Sequence, residues 1–277
     1  MKTVKGLHEK MGTFENANTS FHQAARCKRY TNEVLAFSMV KEEELLRATE
    51  EIQNLTYRQG EYKIFKVFEP KERLIMALPF YDRVVQHMIC NAIQPVFENG
   101  FYYHSYACRS GKGMHAASDT LYQWMYETEV KQGLRMYAFK GDISKYFASI
   151  PHDKLKDENR HYIGDKKALM LMDDIIDHNG ILPDGVGIPV GNLTSQLFAN
   201  VYGNKLDKFC KHVLHIPYFV RYMDDFIILS DDLEQLKEWV KRIEEFLENE
   251  MLLHINPKST ILYAGNGIDF CGYIQYK

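Results

Sequence analysis

Two strand-like apolar runs, Tyr218-Phe219-Val220 and Phe226-Ile227-Ile228-Leu229, flank a short polar turn. Runs of this kind about a tight turn form a β-hairpin, and the tip of this one carries two adjacent carboxylates, Asp224 and Asp225. An isolated Asp pair reads first as an ordinary polar turn, since Asp is common in turns. Apolar runs on both sides weaken that reading. A third acid weakens it further, because Asp142 ends another apolar strand, Met136-Tyr137-Ala138-Phe139, and is followed by Ile143. If these strands are neighbours, three carboxylates converge at one edge of a sheet.

Clustered carboxylates on rigid strands suit phosphoryl transfer. That reaction asks a protein for charge neutralisation and in-line positioning more than for covalent chemistry. Polymerases meet the need with two magnesium ions about 3.5–4 Å apart, one on the attacking and one on the leaving oxygen. Magnesium prefers oxygen ligands and keeps some of its waters, so a few carboxylates suffice.

The surrounding chain supplies a sheet and helices to back it. Helices are predicted over residues 32–54, 83–97, 153–179, 193–210 and 233–253, from apolar positions at helical spacing. Strands are predicted over 62–68 and 135–143, with the hairpin at 217–229. Short strands interleaved with helices in this order indicate an α+β sheet backed by helices. The 277 residues fit one large domain or two intertwined subdomains. Five scattered cysteines, none in a C-x-x-C pair, argue against a zinc site or a disulfide framework and for reduced thiols. No apolar run is long enough to span a bilayer, and no apolar stretch follows Met1 as in a signal peptide, so a cytoplasmic protein with no membrane role is expected.

The order and content of the segments from about Tyr62 to Tyr273 resemble the blocks of reverse transcriptases, especially bacterial ones. Glu69-Pro70-Lys71-Glu72-Arg73 resembles the fingers block that grips an incoming triphosphate. The resemblance makes Arg73 a phosphate contact, with Lys71 and Lys66 competing for a Lys role. Ser105-Tyr106-Ala107-Cys108-Arg109 resembles the next block, in which Arg109 would meet template or phosphate. Asp142-Ile143-Ser144-Lys145-Tyr146-Phe147 resembles the first metal block. There Asp142 would bind both metals with help from the Ile143 carbonyl. Phe147 would be the aromatic gate that excludes a 2′-hydroxyl; without the family it reads equally well as a core aromatic.

Tyr222-Met223-Asp224-Asp225 resembles the second metal block, with Asp224 and Asp225 as ligands and Tyr222 and Met223 beside the primer-template. In Asn256-Pro257-Lys258-Ser259, Lys258 stands where a Lys would protonate departing pyrophosphate, although a second family Lys is replaced by Ser259. Asp269-Phe270-Cys271-Gly272-Tyr273 resembles the primer grip, through Phe270 and Gly272.

The stretch from Gly187 to Gln196 bears on subfamily. Val190 stands where most reverse transcriptases have Gln, and Ser195-Gln196 where most have Ser-Pro. The Ser-Gln variant resembles the enzymes of diversity-generating retroelements, which copy a template RNA with frequent errors opposite adenine. Val190 and Gly191 would then lie against the incoming nucleotide and Gln196 near the template. A Val cannot hydrogen-bond there as a Gln could, and a site that makes fewer polar contacts discriminates less.

The resemblance implies a right-hand polymerase fold, with fingers at residues 1–79 and 151–187, palm at 80–150 and 188–277, and the thumb largely missing. It implies two magnesium ions, dNTPs, and template RNA with a cDNA primer-template. It also implies a small basic accessory variability protein. The net charge of −3 is low for a nucleic-acid binder and fits an enzyme helped by such a partner. A retron, group II intron-like or phage-defence enzyme remains an alternative, as does an inactive polymerase fold that binds RNA. A nucleotide cyclase would share the palm but not the fingers and primer-grip blocks.

Overall fold

The computed structural model describes residues 3–68 and 72–276. Helices α1 (Leu7–Met11), α2 (Phe14–Ala24), α3 (Asn32–Met39) and α4 (Lys41–Gln53) precede an antiparallel hairpin of β1 (Lys63–Phe68) and β2 (Glu72–Ala77). Helix α5 (Phe80–Glu98) follows, then α6 (Met114–Met125), which continues as a π-helical turn before β3 (Tyr137–Asp142). Helices α7 (Tyr146–Ser149), α8 (His152–Tyr162), α9 (Lys166–Asp177) and α10 (Leu193–Lys208) lead to the hairpin of β4 (Tyr218–Tyr222) and β5 (Asp225–Ser230). Helix α11 (Leu233–Phe246) and strands β6 (Thr260–Tyr263), β7 (Ile268–Phe270) and β8 (Tyr273–Gln275) come last. No described helix is long and apolar enough to cross a membrane.

Two predicted helices are each divided in two. The 32–54 segment breaks at Val40, whose backbone leaves the helical region at φ −122° and ψ 26°. The apolar rhythm hides the break, because Val34, Phe37, Leu45, Ala48 and Ile52 are all buried at one helical spacing across it. What marks it is a β-branched residue followed by Glu42, Glu43 and Glu44, which favour a helix N-terminus. The 153–179 segment breaks at Gly164. Asp165 then caps α9, its Oδ1 accepting from the Lys167 and Ala168 N–H groups at 3.1 and 3.3 Å.

The chain divides into two compact units, Met1–Gly100 with Pro151–Phe198, and Phe101–Ile150 with Ala199–Lys277. The first stretch of the first unit runs to Gly100, because α5 packs along α2 and α1, with the Phe80 ring edge-on to Phe21 and Phe37.

The second unit is built on a four-stranded antiparallel sheet in the order β4-β5-β3-β6. Strand alternation gives this sheet two apolar faces. Ala138, Val220, Ile227 and Leu229 join Leu121 and Met125 of α6 and Phe270 of β7 in one core. Phe139, Phe219 and Phe226 lie on the other face with ring centroids 5.8–6.0 Å apart. Gly141 sits opposite Phe226 in the register, and a Cβ there would collide with the Phe226 ring. A glycine just before Asp142 therefore lets β3 lie close over that ring.

Candidate active site

The register of the central sheet brings the first acid to the hairpin. Asp142, the last residue of β3, pairs directly with Asp225, the first of β5, and Asp225 also pairs with Tyr222 of β4. Directly opposed residues of an antiparallel pair share a face, with Cβ atoms about 4.5–5.5 Å apart. Met223 and Asp224 form the two-residue loop between β4 and β5. Met223 takes a left-handed backbone, φ +60°. The Asp224 carbonyl accepts the Ile143 N–H at 3.2 Å, which ties the loop to the residue after Asp142.

Asp142 is held from a third segment. The Asn256 amide donates to Asp142 Oδ2 at 2.6 Å, and the Asn256 N–H donates to the Asp142 carbonyl at 2.8 Å. The Asp142 N–H donates to Ser259 Oγ at 3.0 Å. Asn256 Oδ1 in turn accepts the Lys258 N–H at 3.1 Å, so one side chain shapes its own turn and aims a carboxylate.

The cluster repels itself. Burial, then the neighbouring Asp224 and Asp142, push the Asp225 carboxyl up to about 6, and Lys140 only partly opposes them. Lys140 lies on the same face of β3 as Asp142, but its ammonium is shared with Asp269 at 3.0 Å. Like charges directly opposed on a sheet are destabilising, so this arrangement calls for a cation. Among the described residues no group of three or more His, Cys, Asp or Glu side chains is arranged to hold a metal by itself. Magnesium is usually held by one or two carboxylates together with substrate phosphates rather than by a protein cage. The donor set is all oxygen, and it fits.

The other predicted residues of this unit fall into distinct settings. Phe147 is half-buried, edge-on to the buried Tyr146 at 6.0 Å. Tyr222 is half-buried and Met223 buried, while Lys258 is exposed. Arg109 gives its Nη1 to the Tyr102 and Ser105 carbonyls, both at 2.7 Å, so part of its guanidinium braces its own loop. Phe270 is 1% exposed within the core. A ring so enclosed supports its hairpin from inside. The tip of that hairpin is Cys271-Gly272, both at positive φ, as a tight two-residue turn requires.

The remaining residues predicted to meet the nucleotide belong to the first unit. Arg73 is exposed on β2. Lys66 is paired with Glu72 at 2.5 Å, and Lys71 lies outside the described residues. Strand β2 is tied to the segment before α10, since the Met76 N–H donates to the Val190 carbonyl at 3.1 Å. Val190 is half-buried and Gly191 exposed. The Leu193 N–H donates to buried Gln86, and Asn192 donates to the Tyr62 hydroxyl at 2.8 Å. Gln196 is half-buried one turn into α10. A cleft of about 480 Å³ in this unit, beside Arg58 and His178, includes none of these residues.

Three supporting residues lie outside the motif roles read from the sequence: Asn256, Ser259 and Arg221. The first two lie within the segment quoted for Lys258, so the signal was adjacent. Arg221 stands immediately before the acidic turn, and its position there was the only clue.

The family described as Reverse transcriptase (RNA-dependent DNA polymerase) matches residues 66–275 of this chain. Protein YkfC of Escherichia coli (strain K12) is 24% identical over 238 residues, covering 69% of this chain and 60% of YkfC. A putative COX1/OXI3 intron 2 protein of Saccharomyces cerevisiae is 22% identical over 254 residues, covering 69% of this chain and 29% of that protein. The chain thus spans less than two thirds of the length of either relative. Among solved structures, apo telomerase from Candida tropicalis superposes with a TM-score of 0.57 at 12% identity, over 79% of this chain and 48% of that one. Telomerase from Candida albicans, in complex with a fragment of telomeric RNA, gives 0.56 at 11% identity, over 78% and 45%. At such identities the likeness is one of fold, the α+β polymerase architecture.

Proposed function

This chain belongs to the reverse transcriptase family, and from that premise we propose that it is an RNA-directed DNA polymerase that copies a template RNA into cDNA. The observation that carries the reading is Asp142 opposed to Asp225 across β3 and β5, with Asp224 in the adjoining turn. In this reading residues 1–79 and 151–187 act as fingers and residues 80–150 and 188–277 as palm.

Asp142, Asp224 and Asp225, with the Ile143 carbonyl, would hold two magnesium ions. When bound, these supply charge neutralisation at the attacking and leaving oxygens. Asn256 keeps one Asp142 oxygen aimed by its 2.6 Å bond. Phe147 would lie under the sugar of the incoming dNTP and reject a 2′-hydroxyl. Lys258 would give its proton to the departing pyrophosphate. Arg73, with Lys71 or Lys66, would grip the triphosphate. Arg109, Gln196, Tyr222, Met223 and the hairpin of Phe270 and Gly272 would line the path of template and primer.

The finer reading is error-prone copying in a diversity-generating retroelement. Val190 and the Ser195-Gln196 pair support it. With net charge −3, the chain would depend on a small basic accessory protein to hold its template RNA. Primer extension on an RNA template with magnesium and dNTPs is the test. An Asp224→Ala protein should lose extension, and retained extension would reject the mechanism. A parent chain that binds RNA but never extends a primer would favour the inactive binding module instead.

A further inference from the structure

Among the described residues Arg221 is the largest side chain that is fully buried. It leaves β4 on the face opposite Tyr222, since neighbours along a strand alternate, and so lies on the other side of the sheet from the Asp142–Asp225 pair. Its partners are specific. Nε donates to Asp207 Oδ1 at 2.6 Å and Nη2 to Asp207 Oδ2 at 2.7 Å, a two-pronged grip on a carboxylate that is itself fully buried. Nη2 also donates to Ser105 Oγ at 3.1 Å, and Nη1 donates to the Met223 carbonyl at 2.8 Å.

We propose that Arg221, anchored by Asp207, is a positioning residue that sets the direction in which the turn presents Asp224. Stability does not explain the pair. A buried ion pair can often be exchanged for apolar side chains of similar volume with no loss of stability. Asp207 instead fixes the plane of the guanidinium, so that its remaining N–H groups point one way. Met223 is the residue in need of such a hold, because a left-handed backbone is costly for a residue with a side chain and persists only where its surroundings enforce it.

The Met223 carbonyl and the Asp224 N–H belong to one planar peptide group. Anchoring that carbonyl therefore orients the bond from which the Asp224 side chain departs. The next peptide is anchored as well, since the Asp224 carbonyl accepts the Ile143 N–H. Asp224 is thus gripped on both sides, from Arg221 and from the neighbour of Asp142. Space for the guanidinium comes from Gly203 of α10. A Cβ there would stand 2.6 Å from Nη1 and 2.7 Å from Cζ of Arg221.

The inference rests on the polymerase reading above. The test compares the parent with the double variant Arg221→Met/Asp207→Leu, which removes both charges at once. A second variant, Gly203→Ala, keeps the charges but displaces the guanidinium. The probes are dTTP addition to an oligo(dT) primer on poly(rA), thermal melting, and Mn2+ binding followed by electron paramagnetic resonance. The double variant is expected to melt like the parent or above it. Its kcat should fall about 10–100-fold with KM for dTTP little changed, the cost expected of a displaced reacting group. Mn2+ binding should weaken in parallel, and Gly203→Ala should shift both readouts in the same direction. Parental kcat and Mn2+ affinity in a folded double variant would overturn the inference. If that variant does not fold, Gly203→Ala decides by the same two readouts. If the parent itself never extends a primer, the polymerase reading fails. The Mn2+ comparison then still decides whether Arg221 positions the acidic turn.

Discussion

Asp142 and Asp225 face each other as a direct pair across β3 and β5, two carboxylates on one side of a sheet whose other positions there are mostly apolar.

The first concerns pH. The Asp225 carboxyl sits at about 6, above its ordinary 3.8, because of burial and the nearby Asp224 and Asp142. Below about pH 4 the group is protonated in both folded and unfolded chains. Between there and about pH 6 the folded state holds the extra proton, so the metal-free protein loses stability as pH rises through this window. Above it all three carboxylates repel, and in the proposed mechanism a bound divalent cation would relieve that repulsion. Saturating magnesium should therefore raise the melting temperature clearly at about pH 8 and little at about pH 5. Equal shifts at both values would show that the cation does not bind these carboxylates.

Asn256→Ala should separate aim from fold. It deletes the bond to Asp142 Oδ2, a group at the half-exposed edge of the sheet. Loss of a partner that orients a metal ligand typically costs 10–100-fold in affinity or activity. Extension rate and Mn2+ affinity should fall by roughly that factor. The melting temperature should move by no more than a few degrees, as for loss of about 1–2 kcal/mol.

Phe147→Ala tests the sugar filter. Removing a half-buried ring opens space where a 2′-hydroxyl would fit. Discrimination against ribonucleotides, measured as the ratio of kcat/KM for dTTP over UTP, should drop about 10–200-fold, the range available to steric exclusion in a pocket. An unchanged ratio would return Phe147 to an ordinary packing role.

Val190→Gln tests fidelity. The Val190 backbone is pinned by Met76, so a Gln there should present its amide from a fixed main chain. One added hydrogen bond of about 1–1.5 kcal/mol corresponds to roughly tenfold fewer errors opposite template adenine, read by sequencing the cDNA. As many errors as in the parent would remove Val190 from the account of copying errors.

Much of this architecture is legible along the chain. The Tyr218–Leu229 hairpin and the strand before Asp142 are written as short apolar runs. Helices α5, α10 and α11 are written at helical spacing, each within a few turns. The breaks at Val40 and Gly164 are not, because the apolar rhythm runs on through them while the backbone does not. Phe270 illustrates a different gap. By resemblance it belongs to the primer grip, and no periodicity marks that its ring fills the core with Leu121 and Ile227. A motif identifies a segment without saying which way each side chain points.

The sequence by itself determined which local elements form and which carried acids, since those depend on residues close together along the chain. Tertiary structure alone decided which acids meet. Asp225 faces Asp142 only in this register, and a slip of one residue would turn it to the opposite face. Asn256 reaches Asp142 across 114 residues, and Arg221 finds Asp207 in a separate helix. Contacts between separate segments leave no periodic trace in either one. They arise from the packing of the whole unit, in which buried polar groups take the partners that burial brings within reach.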